Sequence, residues 1–483
     1  MKNTNVIQVL KTLSKKEIKE FGKYLKSIYR EDGGIYLLYE YLKKCHPNFV
    51  DKNIERVFIE KKIFPNSVNS QRTLFDATSL LLKALKEFLV KKRLEKNSIA
   101  RDFLFLEELK ERRLDNLFFQ EIEKTESRWN EEKNAGIEYL HDVFKLNMMR
   151  LLHPSWNVID KKNVDSVDLI ELLDTYYIAS KLYWTLCNHT TNSFANNTTN
   201  EKQYFVDDVI KFASLSEFQQ KPQIRILSQL TNAFLYDKLG NYQTIKKDFL
   251  GHLNIYNEYE KNDFLNFFII LNNKIGTADA FRELFELYDF YVQEKLILED
   301  GTISFGSFLN IVNLGCRASR LNITNLEWVE NFIATYKDAL KAGSQKEATI
   351  SYGEVIIAMN KKDYAKALEN LREVNLKNAF YGVQIRCYLL QCYYELGGYE
   401  NSFEDLIKSF KKFLKDNQTP SSDFKIKFGK FIFYITKINN IKNAITLRAT
   451  KNKDLNLKKL LEELKKEKSV AYKSWLSQKI KEL

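Results

Sequence analysis

Reversals of chain direction are what this sequence is least equipped to make. Its 483 residues include 16 glycines and five prolines, about 4% of the chain against a typical ~12%. β-Sandwiches, propellers and collagen-like chains need one of these residues at most reversals, because glycine tolerates positive φ and proline presets a turn. That poverty excludes those folds and leaves all-helical structure. Hydrophobic residues make up 44% and aromatic residues 13%, which is ample apolar surface for a core and argues against disorder. The length fits about three domains or one long repeat array.

Helical periodicity is legible from the start. Ser14 is placed to cap a helix, Glu17 to bond back to the Ser14 amide, and Leu13 to staple onto Ile18, ahead of an apolar face of Ile18, Phe21 and Leu25. Tyr36, Leu38, Tyr39 and Leu42 recur at helical spacing in 35–45, as do Leu81, Leu85, Phe88 and Leu89 in 70–94, with a further helix at 52–63. Residues 1–96 therefore read as a basic helical module. Helices at 100–110, 115–133 and 136–152 belong to a second helical segment, 97–187, interrupted near Pro154, which cannot continue a helix. Residues 188–203, with five Asn and four Thr, read as a polar loop, because both side chains compete with helical hydrogen bonding.

From residue 204 the chain begins to repeat itself. The segments Leu239 to Tyr242, Asn360 to Tyr364 and Leu396 to Tyr399 each lie between two amphipathic stretches and put a tyrosine at the start of the second. Tyr364 and Tyr399 are 35 residues apart, and Leu326, ahead of Trp328 and Phe332, marks an intermediate unit. A period in the 30s of paired helices is the mark of an α-solenoid, whose pairs bury their apolar faces by stacking.

These units resemble tetratricopeptide repeats. The resemblance is best over Lys346 to Asp416, where a tight turn, an aromatic (Tyr364, Tyr399), a small residue (Ala367, Ser402) and an apolar one (Leu371, Leu406) fall in order. Ile245 in an earlier unit, and Val355 and Leu390 in the first helices, replace small residues of the family pattern. The resemblance implies an all-α fold: a solenoid of irregular hairpins over 204–416, preceded by the N-terminal module and capped by basic helices over 417–483. It also implies a groove lined by Tyr352, Ile356, Met359 and Asn360 in one unit and by Gln384, Gln391, Tyr394 and Glu395 in the next. These positions carry no Lys or Arg, so the family's carboxylate clamp is not matched. Tyrosine and amide groups suit an extended peptide, or ordinary packing between repeats. Separately, LSKKEIKEFGKYLKS and IFPNSVNSQRTLFDATSLLLKALKEFL near the start resemble uncharacterised bacterial proteins, mainly of the Bacteroidetes type, and bring no activity with them.

Charge is unevenly spread. Residues 1–96 carry a net +10, residues 97–399 a net −8 and residues 400–483 a net +10. The basic ends either pack against the acidic middle or bind a phosphate backbone. Lys425, Lys427, Lys430 and Lys437, set among Phe424, Phe428, Phe431, Phe433 and Tyr434, are the candidate nucleic-acid contacts, since cations beside aromatic rings are what single strands use. The same spacing also makes Phe424, Phe428 and Phe431 a buried helix stripe with snorkelling lysines. A terminal helix over 455–483 is expected to cap the array.

Motifs for chemistry are missing. Neither GxxxxGK[ST] nor GxGxxG occurs, which removes the two familiar nucleotide cradles. Glu138 and His141 share a helix face, but a di-iron site needs two such pairs and two more glutamates. The Cys45/His46 and Cys187/His189 neighbours lack zinc spacing. Ser304 has the wrong glycine spacing for a nucleophile elbow and reads as a turn. No catalytic, cofactor or metal residues are therefore expected. Five scattered cysteines and an opening that does not read as a secretory leader make the cytoplasm the expected compartment, and the most apolar run, Phe264 to Leu271 with Asn266 inside it, is too short to cross a bilayer. The expected function is a non-enzymatic scaffold or adaptor that binds a protein or peptide in the groove. The alternative is a helical nucleic-acid binder that uses its basic ends.

Overall fold

The computed structural model describes residues 1, 4–65, 67, 69–131, 136–159, 166–194, 204–236, 242–341, 343–374, 378–446 and 453–483. Among them the fold is all-α, with 25 α-helices and a single pair of two-residue strands, Ile303–Ser304 beside Leu340–Lys341. The chain divides into two compact units, Met1–Arg128 with Leu146–Asn163, and Trp129–Lys145 with Val164–Leu483.

The first unit is built on the capping box that the sequence announces. The Ser14 side chain accepts from the Glu17 amide at 3.2 Å, and the Glu17 carboxylate accepts from the Ser14 amide at 2.8 Å. This satisfies two donors that the helix Lys15–Ile28 would otherwise leave open. Its buried face, Ile18, Phe21 and Leu25, packs in one core with Leu38, Tyr39 and Leu42 of Gly34–Cys45 and with Leu74, Leu81, Leu85 and Phe88 of Ser70–Lys96. Further along, His153 is buried against Phe118 and Phe119, with ring centroids 4.4 and 5.0 Å away. Burial disfavours the charged imidazolium and holds its pKa below the ordinary value, although Asp115 lies 3.7 Å from Nε2.

In the second unit the first helices pack across several positions in sequence and the later ones mainly on their neighbours. Ser166–Phe194 lies against Pro222–Tyr236 and Glu258–Ile275. Farther on, Phe305–Arg320 packs on Leu326–Tyr336 and Lys346–Lys361, Lys346–Lys361 on Tyr364–Leu371, Tyr364–Leu371 on Ala379–Leu396, and Ala379–Leu396 on Glu400–Asp416. The repeat tyrosines sit where the sequence puts them: Tyr364 opens its helix and Tyr399 precedes Glu400–Asp416. Close approach is written into Gly315, where a Cβ would stand 2.7 Å from Val329 Cγ2 and 2.8 Å from Trp328 Cζ3.

Three local readings differ from the structure. Asn188 to Phe194 continue the helix Ser166–Phe194 rather than opening a loop, because Thr190 and Thr191 donate their hydroxyls to the Cys187 carbonyl at 2.7 and 2.9 Å and so stay within the helical pattern. Residues 195–203 and the turn at 239–241 lie outside the described residues. The expected terminal helix over 455–483 is two helices, Lys453–Lys466 and Lys473–Glu482, separated by a bend at which Tyr472 takes φ 52°. Ser304 is an N-cap: its Oγ accepts from the Ser307 amide at 3.1 Å.

Candidate functional site

The groove positions expected from the sequence come together on Lys346–Lys361 and Ala379–Leu396, and the chain's own last helix lies over part of them. Tyr352 is fully buried; its hydroxyl donates to Gln384 Oε1 at 2.9 Å, and its ring meets Tyr381 edge-on at 5.8 Å. Tyr394 is buried too, with Trp475 edge-on at 5.6 Å and the Lys442 ammonium 4.3 Å from its ring centroid. Glu395 accepts from Trp475 Nε1 at 3.0 Å and from the Lys479 ammonium at 2.7 Å. The Glu395 and Lys479 side chains are 14% and 11% exposed, so this ion pair is largely withdrawn from water.

Those contacts define what the helix Lys473–Glu482 brings. Leu476 and Ile480 are buried in the same core cluster as Val383, Leu390 and Tyr394. Tyr472, just before the helix, packs on Tyr388 and Phe431 at 5.8 and 5.4 Å. Lys473 donates to the carbonyls of Lys465 and Glu467 at 3.0 and 2.7 Å, which fixes the bend. Trp475, Leu476, Lys479 and Ile480 follow helical spacing, so one face of a short helix serves as the docking surface. No local signal in the sequence pairs Glu395 with residues 80 and 84 positions later.

Beside this contact lies a cavity of about 270 Å³, between Phe305–Arg320, Lys346–Lys361, Ala379–Leu396 and the last helix. Its walls include Asn360, Tyr388, Gln391 and Trp475, and the charged side chains that line it are Arg320 and Lys362. Gln391 is 3% exposed, yet among the described residues its Nε2 has no hydrogen-bond partner, and neither has the buried Asn360 Oδ1. Cys316 also lines the cavity; burial pushes its thiol up to about 12, so it stands there as a neutral thiol.

The candidate nucleic-acid residues have a different setting. Phe428 and Phe431 are buried and Phe424 packs on Phe428 at 4.5 Å, so the aromatic stripe belongs to the core, while Phe433 is half exposed. Lys430 is paired with Glu467 at 2.5 Å and Lys437 with Glu463 at 3.3 Å. Lys427 is exposed and Lys425 half-buried.

The other pairings considered for chemistry are dispersed. Glu138 accepts from Asn257 at 3.1 Å, while His141 faces Asp142 at 3.3 Å. His46 bonds the Leu13 carbonyl at 2.8 Å. Among the described residues no three His, Cys, Asp or Glu side chains are grouped to hold a metal ion, and no helix is long and apolar enough to cross a membrane. The site and fold thus define an all-helical chain with a helix-covered surface and a small polar cavity. Comparison with protein families, with curated proteins and with solved structures finds no match.

Proposed function

We propose that the second unit is an α-solenoid of tetratricopeptide-like hairpins, and that the protein is a non-enzymatic scaffold whose groove receives an amphipathic helix from a protein partner. The observation that carries this reading is the helix Lys473–Glu482 itself, seated on Tyr394 and Glu395 through Trp475 and Lys479. A surface that holds one short helix by an aromatic anchor, an apolar face and one charge pair has the features of helix-in-groove recognition. The succession of neighbour-packed helices from Phe305 to Asp416 supports the array. The chain's own helix then competes with the partner, and a partner helix gains access when Lys473–Glu482 lifts away.

Affinity capture from the native cell tests this, with wild type and Lys479→Glu compared, each with and without nuclease. The expected result is a defined protein set enriched on Lys479→Glu, insensitive to nuclease and displaced by a synthetic peptide of residues 467–483. Equal capture by both proteins, or capture the peptide does not displace, refutes the groove. The nucleic-acid alternative keeps one support, Lys23 and Lys91 beside Tyr24 in the basic N-terminal unit, where Lys92 is already paired with Glu20 and Glu95 at 2.9 and 3.5 Å. Capture abolished by nuclease would favour it, together with a mobility shift that weakens as salt rises.

A further inference from the structure

We infer that the cavity bounded by Arg320, Asn360, Lys362, Tyr388, Gln391 and Trp475 is a binding site for a nucleoside monophosphate. Three independent features of the cavity select this class. First, Arg320 and Lys362 line it with no carboxylate among the lining side chains and, among the described residues, with no ion pair to either. Glu482, whose carboxylate interacts with the Lys362 charge, is itself paired with Lys479 at 2.7 Å. Two cations lining one cavity, neither held in an ion pair, favour a multiply charged anion, and a guanidinium with an ammonium is a donor set that suits phosphate.

Second, the interior offers one donor and one acceptor that the protein leaves unused. Gln391 Nε2 is buried without a partner and Asn360 Oδ1 is buried without a partner, both on the cavity wall. Buried polar atoms are almost always satisfied, and leaving one unmade costs about 1–3 kcal/mol, so this pair awaits a group that both accepts and donates. The hydrogen-bonding edge of a nucleobase does so, and asparagine and glutamine amides are the side chains that pair with such edges. Third, Tyr388 and Trp475 supply aromatic surface for a planar ring. The volume, about 270 Å³, is at the small end of ligand pockets. It suits a base and sugar inside, with the phosphate at Arg320 and Lys362.

This site does not depend on the groove accepting a protein partner, because it exists with the last helix in place and uses that helix for a wall. Isothermal titration of the full chain with AMP, GMP, CMP and UMP, and with the four matching nucleosides and inorganic phosphate as separate probes, tests it. The expected result is saturable binding of at least one mononucleotide, with the matching nucleoside and inorganic phosphate each at least ~10-fold weaker. Arg320→Ala/Lys362→Ala, which alters exposed side chains, should weaken that binding at least ~10-fold and flatten its salt dependence. Gln391→Leu should weaken it while leaving circular dichroism unchanged. If Gln391→Leu fails to fold, the surface double variant still decides. No saturable binding of any mononucleotide up to the millimolar range overturns the site. So does inorganic phosphate binding as tightly as the nucleotides, and so does binding untouched by the double variant.

Discussion

Replacing Lys479 by Met keeps the length and apolar stem of the side chain and removes its charge. Glu395 then retains Trp475 Nε1 as a donor and loses an ammonium that touches both carboxylate oxygens, at 2.7 and 2.9 Å. Removing one partner of a buried ion pair costs about 3–5 kcal/mol; with both side chains slightly open to water and one hydrogen bond kept, about 2 kcal/mol is expected for docking of the helix. Glu395→Gln, which keeps an acceptor for Trp475 but strands the ammonium between Glu482 and solvent, should cost about 1–2 kcal/mol. The double variant removes the charges together, so its cost should fall short of the sum by about 1–3 kcal/mol. The assay is hydrogen exchange at the amides of residues 473–482. A 2 kcal/mol loss of docking raises the open population roughly 30-fold and speeds exchange in proportion. Strictly additive effects, or amides in 473–482 that exchange no faster in Lys479→Met, would refute the idea that this pair holds the helix down.

Three further outcomes follow from single positions. Gly397 has φ 71° and ψ 175°, a conformation kept almost entirely to glycine, so Gly397→Ala should cost about 1–3 kcal/mol in urea unfolding. Gly315→Ala places a methyl 2.7 Å from Val329 and should cost about 1–3 kcal/mol by forcing two helices apart; an unchanged urea midpoint would show that the contact yields freely. His153 has its folded pKa depressed by burial, so the unfolded chain binds its proton more readily and this contribution to stability falls as pH drops through ~6.5. His153→Phe should remove that slope between neutral and mildly acid pH, beyond a constant offset from the lost bond to the Ser155 amide; an unaltered slope would assign the pH dependence to other groups.

What could be read ahead of the structure was mostly local. The capping box at Ser14 and Glu17, the helices near 98–131, and the tyrosines that open second helices rest on contacts three or four residues apart, and the sequence carries them openly. Asn and Thr near 188–194 misled because a threonine that competes with a helix can also bond back into one, and Thr190 and Thr191 do. The bend at Tyr472 left no glycine or proline to mark it. The fate of the groove was beyond reach, since a register assigns Tyr352 and Tyr394 to a face without saying what covers that face. Tyr352 proved to be claimed by Gln384 and Tyr381, and Tyr394 by Trp475, a partner 81 residues away. The unused amide atoms of Asn360 and Gln391 have no sequence signature, because any asparagine or glutamine looks alike until its neighbours are known.

The claim on which the rest depends is that Ala379–Leu396 and its neighbours form a seat for an amphipathic helix, now filled from within. Titrating a fluorescent peptide of residues 467–483 into the wild-type chain and into Lys479→Met measures this directly. A resident helix that competes lowers the apparent affinity by the fraction of open protein, so roughly 30-fold tighter peptide binding is expected in the variant, from the same 2 kcal/mol. Equal affinity for both chains, or no binding to either while the variant stays folded, would contradict the account.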